Sequence, residues 1–214
     1  QALRHDLTTG ANTPLIQADW DVTYVAYSPS GRYRVSALNA DAKTELTLLD
    51  TRTNRPVALS GLPDGDVGSV RFSDDETRLA FTVSSDTSPA DIFVADLANG
   101  RATRLTHALN PAIDEANLVE ATIVRYPAEG GVMIPAVLYK PRGASAAHPA
   151  PAVVLVHGGP GGQTRRGYSA MVQHLVNHGY AVLGANNRGS SGYGKTFFHM
   201  DDRKHGEADL RDIV

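Results

Sequence analysis

A repeat in the first half of the chain limits its fold more than any other feature. Val25-Ala-Tyr27-Ser28-Pro29-Ser30-Gly31-Arg32 aligns with Val70-Arg-Phe72-Ser73-Asp74-Asp75-Glu76-Thr77, and Glu45-Leu46-Thr47-Leu48-Leu49-Asp50 with Asp91-Ile92-Phe93-Val94-Ala95-Asp96, at offsets of 45 and 46 residues. A partial third copy opens the chain, with His5-Asp6-Leu7-Thr8-Thr9-Gly10 in the place of Ala95-Asp96-Leu97-Ala98-Asn99-Gly100. Short alternating runs such as Val70/Phe72 and Leu79/Phe81, separated by turn residues, predict antiparallel strands. A period in the mid-forties with about four strands per unit reads as propeller blades. One blade cannot bury both faces of its sheet, so stability comes from stacked neighbours. Two and a fraction blades do not close, and further sequence is expected before Gln1.

The period ends after Asn110-Pro111. Ala121–Tyr126 and Val132–Lys140 predict a hairpin across Pro127-Ala-Glu-Gly-Gly131. After a loop rich in Pro, Ala and Gly comes Ala152–Val156, an unbroken apolar run that predicts a strand buried on both faces of a parallel sheet. It stops at His157-Gly158-Gly159-Pro160, where glycines let the backbone turn sharply and leave amide N–H groups uncovered. Met171, Val172, Leu175 and Val176 give a helical stripe that Gly179 ends. A second apolar run, Ala181–Ala185, completes a βαβ unit whose functional end is the glycine turn. A last helix is predicted near Glu207, with Leu210, Ile213 and Val214 on one side. A hairpin and two such strands leave an apolar face and an open edge, so more strands are expected downstream.

Composition bounds the function. A net charge of −3 with acids and bases interspersed gives no nucleic-acid footprint, and no nucleic-acid partner is expected. The absence of cysteine excludes disulfides, a thiolate nucleophile and cysteine-based zinc sites, and leaves the compartment open between cytoplasm and the exported space. No apolar stretch approaches the roughly 20 residues that span a bilayer, so no membrane partner is expected. A homo-oligomer stays open.

Blades running into a strand that ends in His157-Gly158-Gly159-Pro160, followed by Asn186-Asn187-Arg188-Gly189-Ser190-Ser191-Gly192-Tyr193-Gly194, resemble the prolyl oligopeptidase family of serine peptidases, its acylaminoacyl-peptidase and dipeptidyl-peptidase-like branch in particular. The resemblance implies a mixed fold truncated at both ends: C-terminal blades of a β-propeller over residues 1–118, then the N-terminal half of an α/β-hydrolase, a doubly wound, mostly parallel sheet, over residues 119–214. It implies a short peptide substrate, no cofactor, and an acyl-enzyme formed by a Ser-His-Asp triad. No G-x-S-x-G elbow occurs in the chain, so the nucleophile is expected beyond Val214. What remains is the oxyanion side, where Gly159 matches the family position that supplies a backbone N–H, with Gly158 the neighbouring choice. An esterase-type hydrolase and a non-catalytic binding protein are the competing readings.

Other motifs have plainer readings. His157 stands too early for a triad histidine and is expected to brace the turn, as Arg188 is expected to brace its loop. His174 and His178 have the spacing of zinc ligands but lack the glutamate of H-E-x-x-H, so no metal site is expected there. His199 and His205 flank Asp201 and Asp202 in what reads as a solvated loop. Gly189–Thr196 formally satisfies G-x-x-x-x-G-K-[ST], yet Asn186-Asn187-Arg188 separate it from the strand and no helical stripe follows, which argues against nucleotide binding.

Overall fold

The chain forms two compact units, one of Gln1–Val83 and Asp91–His107, the other of Ser84–Ala90 and Ala108–Val214. The computed structural model describes every residue except Pro160. Sheet dominates and helices are few and short.

In the first unit β1 (Ala2–His5) and β2 (Asn12–Ile16) pair as an antiparallel ribbon. The strands β3 (Asp21–Tyr27), β4 (Tyr33–Ala40), β5 (Lys43–Asp50) and β6 (Arg55–Pro56) form an antiparallel sheet in chain order. A second sheet repeats that order with β7 (Asp66–Phe72), β8 (Arg78–Ser84), β9 (Asp91–Asp96) and β10 (Ala102–Arg104). The repeat is thus one of four-stranded sheets, and its residues recur because the same turns recur. Between first and second strands, the Ser28 hydroxyl oxygen accepts the Tyr33 N–H at 3.0 Å and the Ser73 hydroxyl oxygen accepts the Arg78 N–H at 3.0 Å. Gly31 (φ +76°) and Glu76 (φ +55°) hold the equivalent left-handed position. At the ends of β1, β5 and β9, carboxylate oxygens of Asp6, Asp50 and Asp96 accept the N–H two residues on, from Thr8, Arg52 and Ala98, at 2.8–2.9 Å. These are Asx turns, closed each time by a left-handed residue, Gly10, Asn54 or Gly100.

Alternation along these strands sends Val35, Leu48, Val70, Leu79, Phe81, Phe93 and Ala95 into one buried cluster. The Phe81 and Phe93 rings stack across β8 and β9 with centroids 6.3 Å apart. Glu76 links the two copies: its carboxylate accepts the Ser30 N–H and hydroxyl, each at 2.6 Å.

The second unit holds the sheet β11-β12-β14-β13, from β11 (Ala121–Pro127), β12 (Met133–Tyr139), β13 (Ala152–Val156) and β14 (Ala181–Ala185). The β11–β12 hairpin matches the sequence reading. Helix α1 (Ala170–Asn177) is capped by the Ser169 hydroxyl, ended by Gly179 at φ +87°, and buries Val172 and Val176. It joins β13 to the parallel β14, completing the βαβ unit. Two expectations change. Only the β13–β14 pairing is parallel, because the hairpin enters antiparallel to β14, so among the described residues the sheet is mixed rather than mostly parallel. β13 is not buried on both faces either: it lies at the sheet edge, and Val154 and Val156 are 41% and 56% exposed. The chain closes with the short helices α2 (Gly194–Phe198) and α3 (Ala208–Arg211). Leu210 and Val214 of the expected apolar side are exposed.

Two outcomes test this account. A Cβ on Gly100 would overlap the Ala58 carbonyl oxygen, whereas one on Gly31 meets nothing within 4 Å at a similar φ. Gly31→Ala should cost about 1–2 kcal/mol for the left-handed backbone alone, and Gly100→Ala about 1–3 kcal/mol more for the overlap, read as urea midpoints. The Asp75 carboxylate accepts the Ser73 hydroxyl at 2.6 Å and the Thr77 N–H at 3.0 Å, which hold its pKa down to about 2. A depressed carboxyl stabilises the fold above its unfolded value near 3.8 and loses that contribution as pH falls towards 2. The stability gap between the protein and Asp75→Asn should therefore be present at pH 5 and vanish near pH 2.

Candidate functional site

At the carboxyl end of β13 the chain passes through His157 and Gly158 to Gly159, which stands at φ +57°. Both glycines are exposed, and among the described residues a Cβ at either would meet nothing within 4 Å. The turn is closed by the Gly162 N–H on the Gly159 carbonyl oxygen at 2.7 Å. Gly162 is required by close approach, since a Cβ there would overlap the Gly158 carbonyl oxygen and lie 2.9 Å from His157 Nδ1.

His157 braces this turn, as expected. Its Nε2 lies 2.8 Å from the hydroxyl of fully buried Ser190, and that hydroxyl is 2.6 Å from the Asn187 carbonyl oxygen. A carbonyl can only accept, so the serine proton points to Asn187 and the histidine donates through Nε2. The Ser191 N–H adds a bond to the Gly162 carbonyl oxygen at 2.9 Å. Turn and loop are thereby one hydrogen-bonded object.

The loop after β14 is itself held from inside. Asn186, fully buried, accepts the Thr164 N–H at 2.7 Å and donates to the Thr164 carbonyl oxygen at 3.0 Å. Gly184 makes room, because a Cβ there would overlap the Thr164 side chain. Arg188 grips buried Asp212 through Nε at 2.9 Å and Nη2 at 2.7 Å, while its own N–H reaches the same carboxylate at 2.9 Å. These hydrogen bonds, with the charge of Asp212, raise the pKa of the guanidinium further. Burial, then Asp212, raises the pKa of Tyr126, whose hydroxyl donates to the Asp212 carbonyl oxygen at 2.7 Å.

The nucleotide-like segment is a different object from a phosphate cradle. α2 does begin beside the lysine, but the Gly189, Ser190 and Ser191 N–H groups are already given to the carbonyls of Phe197, Asn187 and Gly162. Ser169 caps α1 and is no strand-to-helix elbow. The loop read as solvated is corrected at Asp201, which is 4% exposed because Gly189 has no Cβ to displace it. His205 Nδ1 meets it at 3.0 Å, and Asp201, His205 and Asp209 each place one ligand atom within 4.8 Å of the others. His199 pairs with Asp202 at 2.8 Å on the surface.

Sequence reasoning missed Asp86, a nearly fully buried carboxylate in the segment that joins β8 to β9. Within the second unit it accepts the Tyr139 hydroxyl at 2.9 Å, Arg166 Nη2 at 2.6 Å, and the Gly167 and Ala121 N–H groups at 3.1 Å. Burial foremost, then Asp86, pushes the Tyr139 phenol well above its usual pKa. The one signal available was length: this connection runs over residues 85–90, against the tight Asp41-Ala42 turn between β4 and β5.

Residues 166–214, which hold α1, β14 and the braced loop, match the model of the prolyl oligopeptidase family. The dipeptidyl aminopeptidase BIII of Pseudoxanthomonas mexicana is 35% identical over 146 residues, which are 65% of this chain and 21% of that protein. A puromycin hydrolase structure superposes with a TM-score of 0.84 at 24% identity, covering 98% of this chain and 33% of that one. A puromycin-hydrolyzing peptidase of Mycobacterium tuberculosis does so at 0.82 and 22% identity, covering 96% and 33%. These superpositions speak for the fold alone. The chain spans about a fifth of the curated relative and a third of the solved structures.

Removing one partner of a buried pair strands the other. Asp212→Asn should cost about 3–5 kcal/mol, because Arg188 and Asp212 are 12% and 0% exposed. Glu129→Gln, which breaks the half-exposed pair with Arg211, should cost no more than about 1 kcal/mol. Chemical denaturation of both variants checks the contrast.

Proposed function

We propose that the chain is part of a serine peptidase that hydrolyses short peptides through an acyl-enzyme. In this reading residues 1–118 are β-propeller blades, and residues 119–214 are the N-terminal half of an α/β-hydrolase domain. The Gly159 N–H, with Gly158 beside it, donates to the oxyanion of the tetrahedral intermediate. The observation that carries the reading is the open glycine turn at the carboxyl end of β13, in a chain whose later residues match a peptidase family. A relative named as a dipeptidyl aminopeptidase supports a peptide substrate.

The physical requirement is specific. Acyl transfer builds negative charge on the scissile carbonyl oxygen, and a donor lowers the barrier only if it is already aimed there. A left-handed glycine turn exposes such an N–H, and the His157–Ser190–Asn187 chain holds the turn still before substrate arrives. The nucleophile and its base come from outside residues 1–214, since no G-x-S-x-G elbow lies among them.

The test uses the full-length protein. Gly159→Ala forces a side chain onto the φ +57° position and should lower kcat on a peptidyl-nitroanilide by about 10²–10³-fold with little change in KM. Gly130→Ala, at φ +76° with equally open surroundings on the β11–β12 hairpin, is the control for backbone strain and should leave both constants alone. Equal kcat in the two variants, or faster turnover of a simple ester than of the anilide, overturns the reading. A fluorophosphonate should label the full-length protein and leave residues 1–214 unlabelled.

A further inference from the structure

We propose that His174 and His178 form a chelating pair for one divalent transition-metal ion of the copper, nickel and zinc class, at the exposed C-terminal end of α1. The proposal is independent of the peptidase reading. The two residues lie one helical turn apart, with ring centroids 4.1 Å apart and ring planes tilted by 38°. Both side chains are exposed. His178 Nδ1 lies 2.8 Å from the His174 carbonyl oxygen. That oxygen only accepts, so Nδ1 carries the proton and Nε2 keeps its lone pair. This is the arrangement found behind metal-bound histidines, where a backbone carbonyl fixes tautomer and ring orientation.

The backbone supports the same geometry. The His178 N–H also bonds to the His174 carbonyl oxygen, at 3.1 Å, so one acceptor holds both the main chain and the ring of the second ligand. The last carbonyls of a helix carry partial negative charge, which favours a cation. Two imidazoles leave the rest of the coordination sphere to water, so the site is an open surface chelate. The missing glutamate of H-E-x-x-H removes the base of a metalloprotease and does not affect chelation. Imidazole nitrogens select copper over zinc and nickel, and offer nothing to magnesium or calcium, which take oxygen ligands.

The test is titration of the protein with Cu²⁺, Zn²⁺ and Mg²⁺, followed by the histidine ring proton resonances for Zn²⁺ and by electron paramagnetic resonance for Cu²⁺. Expected are a saturable site with two nitrogen ligands, tighter for Cu²⁺ than for Zn²⁺, and no competition by Mg²⁺. His174→Ala and His178→Ala should each weaken it at least tenfold while leaving metal-free thermal unfolding unchanged. His205→Ala, which disables the Asp201–His205–Asp209 group, should leave it intact. Binding that survives both helix variants, or that is lost with His205, overturns the proposal.

Discussion

A buried carboxylate is tolerable only when hydrogen bonds and an opposite charge replace its water, and Asp86 meets that condition through partners drawn from three places in the chain. It gathers the start of β11 at Ala121, the end of β12 at Tyr139, and the segment before α1 at Arg166 and Gly167. The Asp86 carbonyl oxygen and the Val119 main chain are both held by the Gln173 amide. The hairpin, the segment before α1 and α1 itself are therefore tied to one buried residue. Its loss would free the segment between the glycine turn and α1.

The same principle operates at smaller scale along residues 157–191. Each glycine here that cannot accept a side chain stands against a specific neighbour: Gly161 against Phe198, Gly162 against Gly158 and His157, Gly184 against Thr164, Gly189 against Asp201. Each polar side chain in the interior closes a backbone gap, as Asn186 does for Thr164 and Ser190 for Asn187. The turn at Gly158 and Gly159 is held from inside by this set of contacts.

Much of this was legible in the residues. The repeat announced itself because two kinds of turn impose Ser at one position and Asp, then Gly or Asn, at others, and these requirements are local. The βαβ unit was legible for the same reason, from an apolar run, a capped stripe and a stop. Long-range pairing was not legible. Nothing near Arg188 points to Asp212 rather than to another acid, and nothing near Asp86 marks it off from the other exposed-looking residues of a Ser, Thr and Pro-rich connection. Asp201 misled because a run of His and Asp reads as solvated unless the glycine that shelters it is known. The edge position of β13 was misread because an apolar run reports what a strand is built to bury, not what lies beside it.

The separation of Asp86 from its partners has a kinetic consequence. Asp86 and Arg166 are 80 residues apart, and loop-closure entropy must be met before such a contact stabilises anything. The β8–β9 connection leaves the first unit at Val83 and returns at Asp91, so its ion pair cannot form until β11, β12 and the segment before α1 exist for it to join. On these grounds the contacts that residues 84–90 make with the rest of the second unit are among the later ones to form.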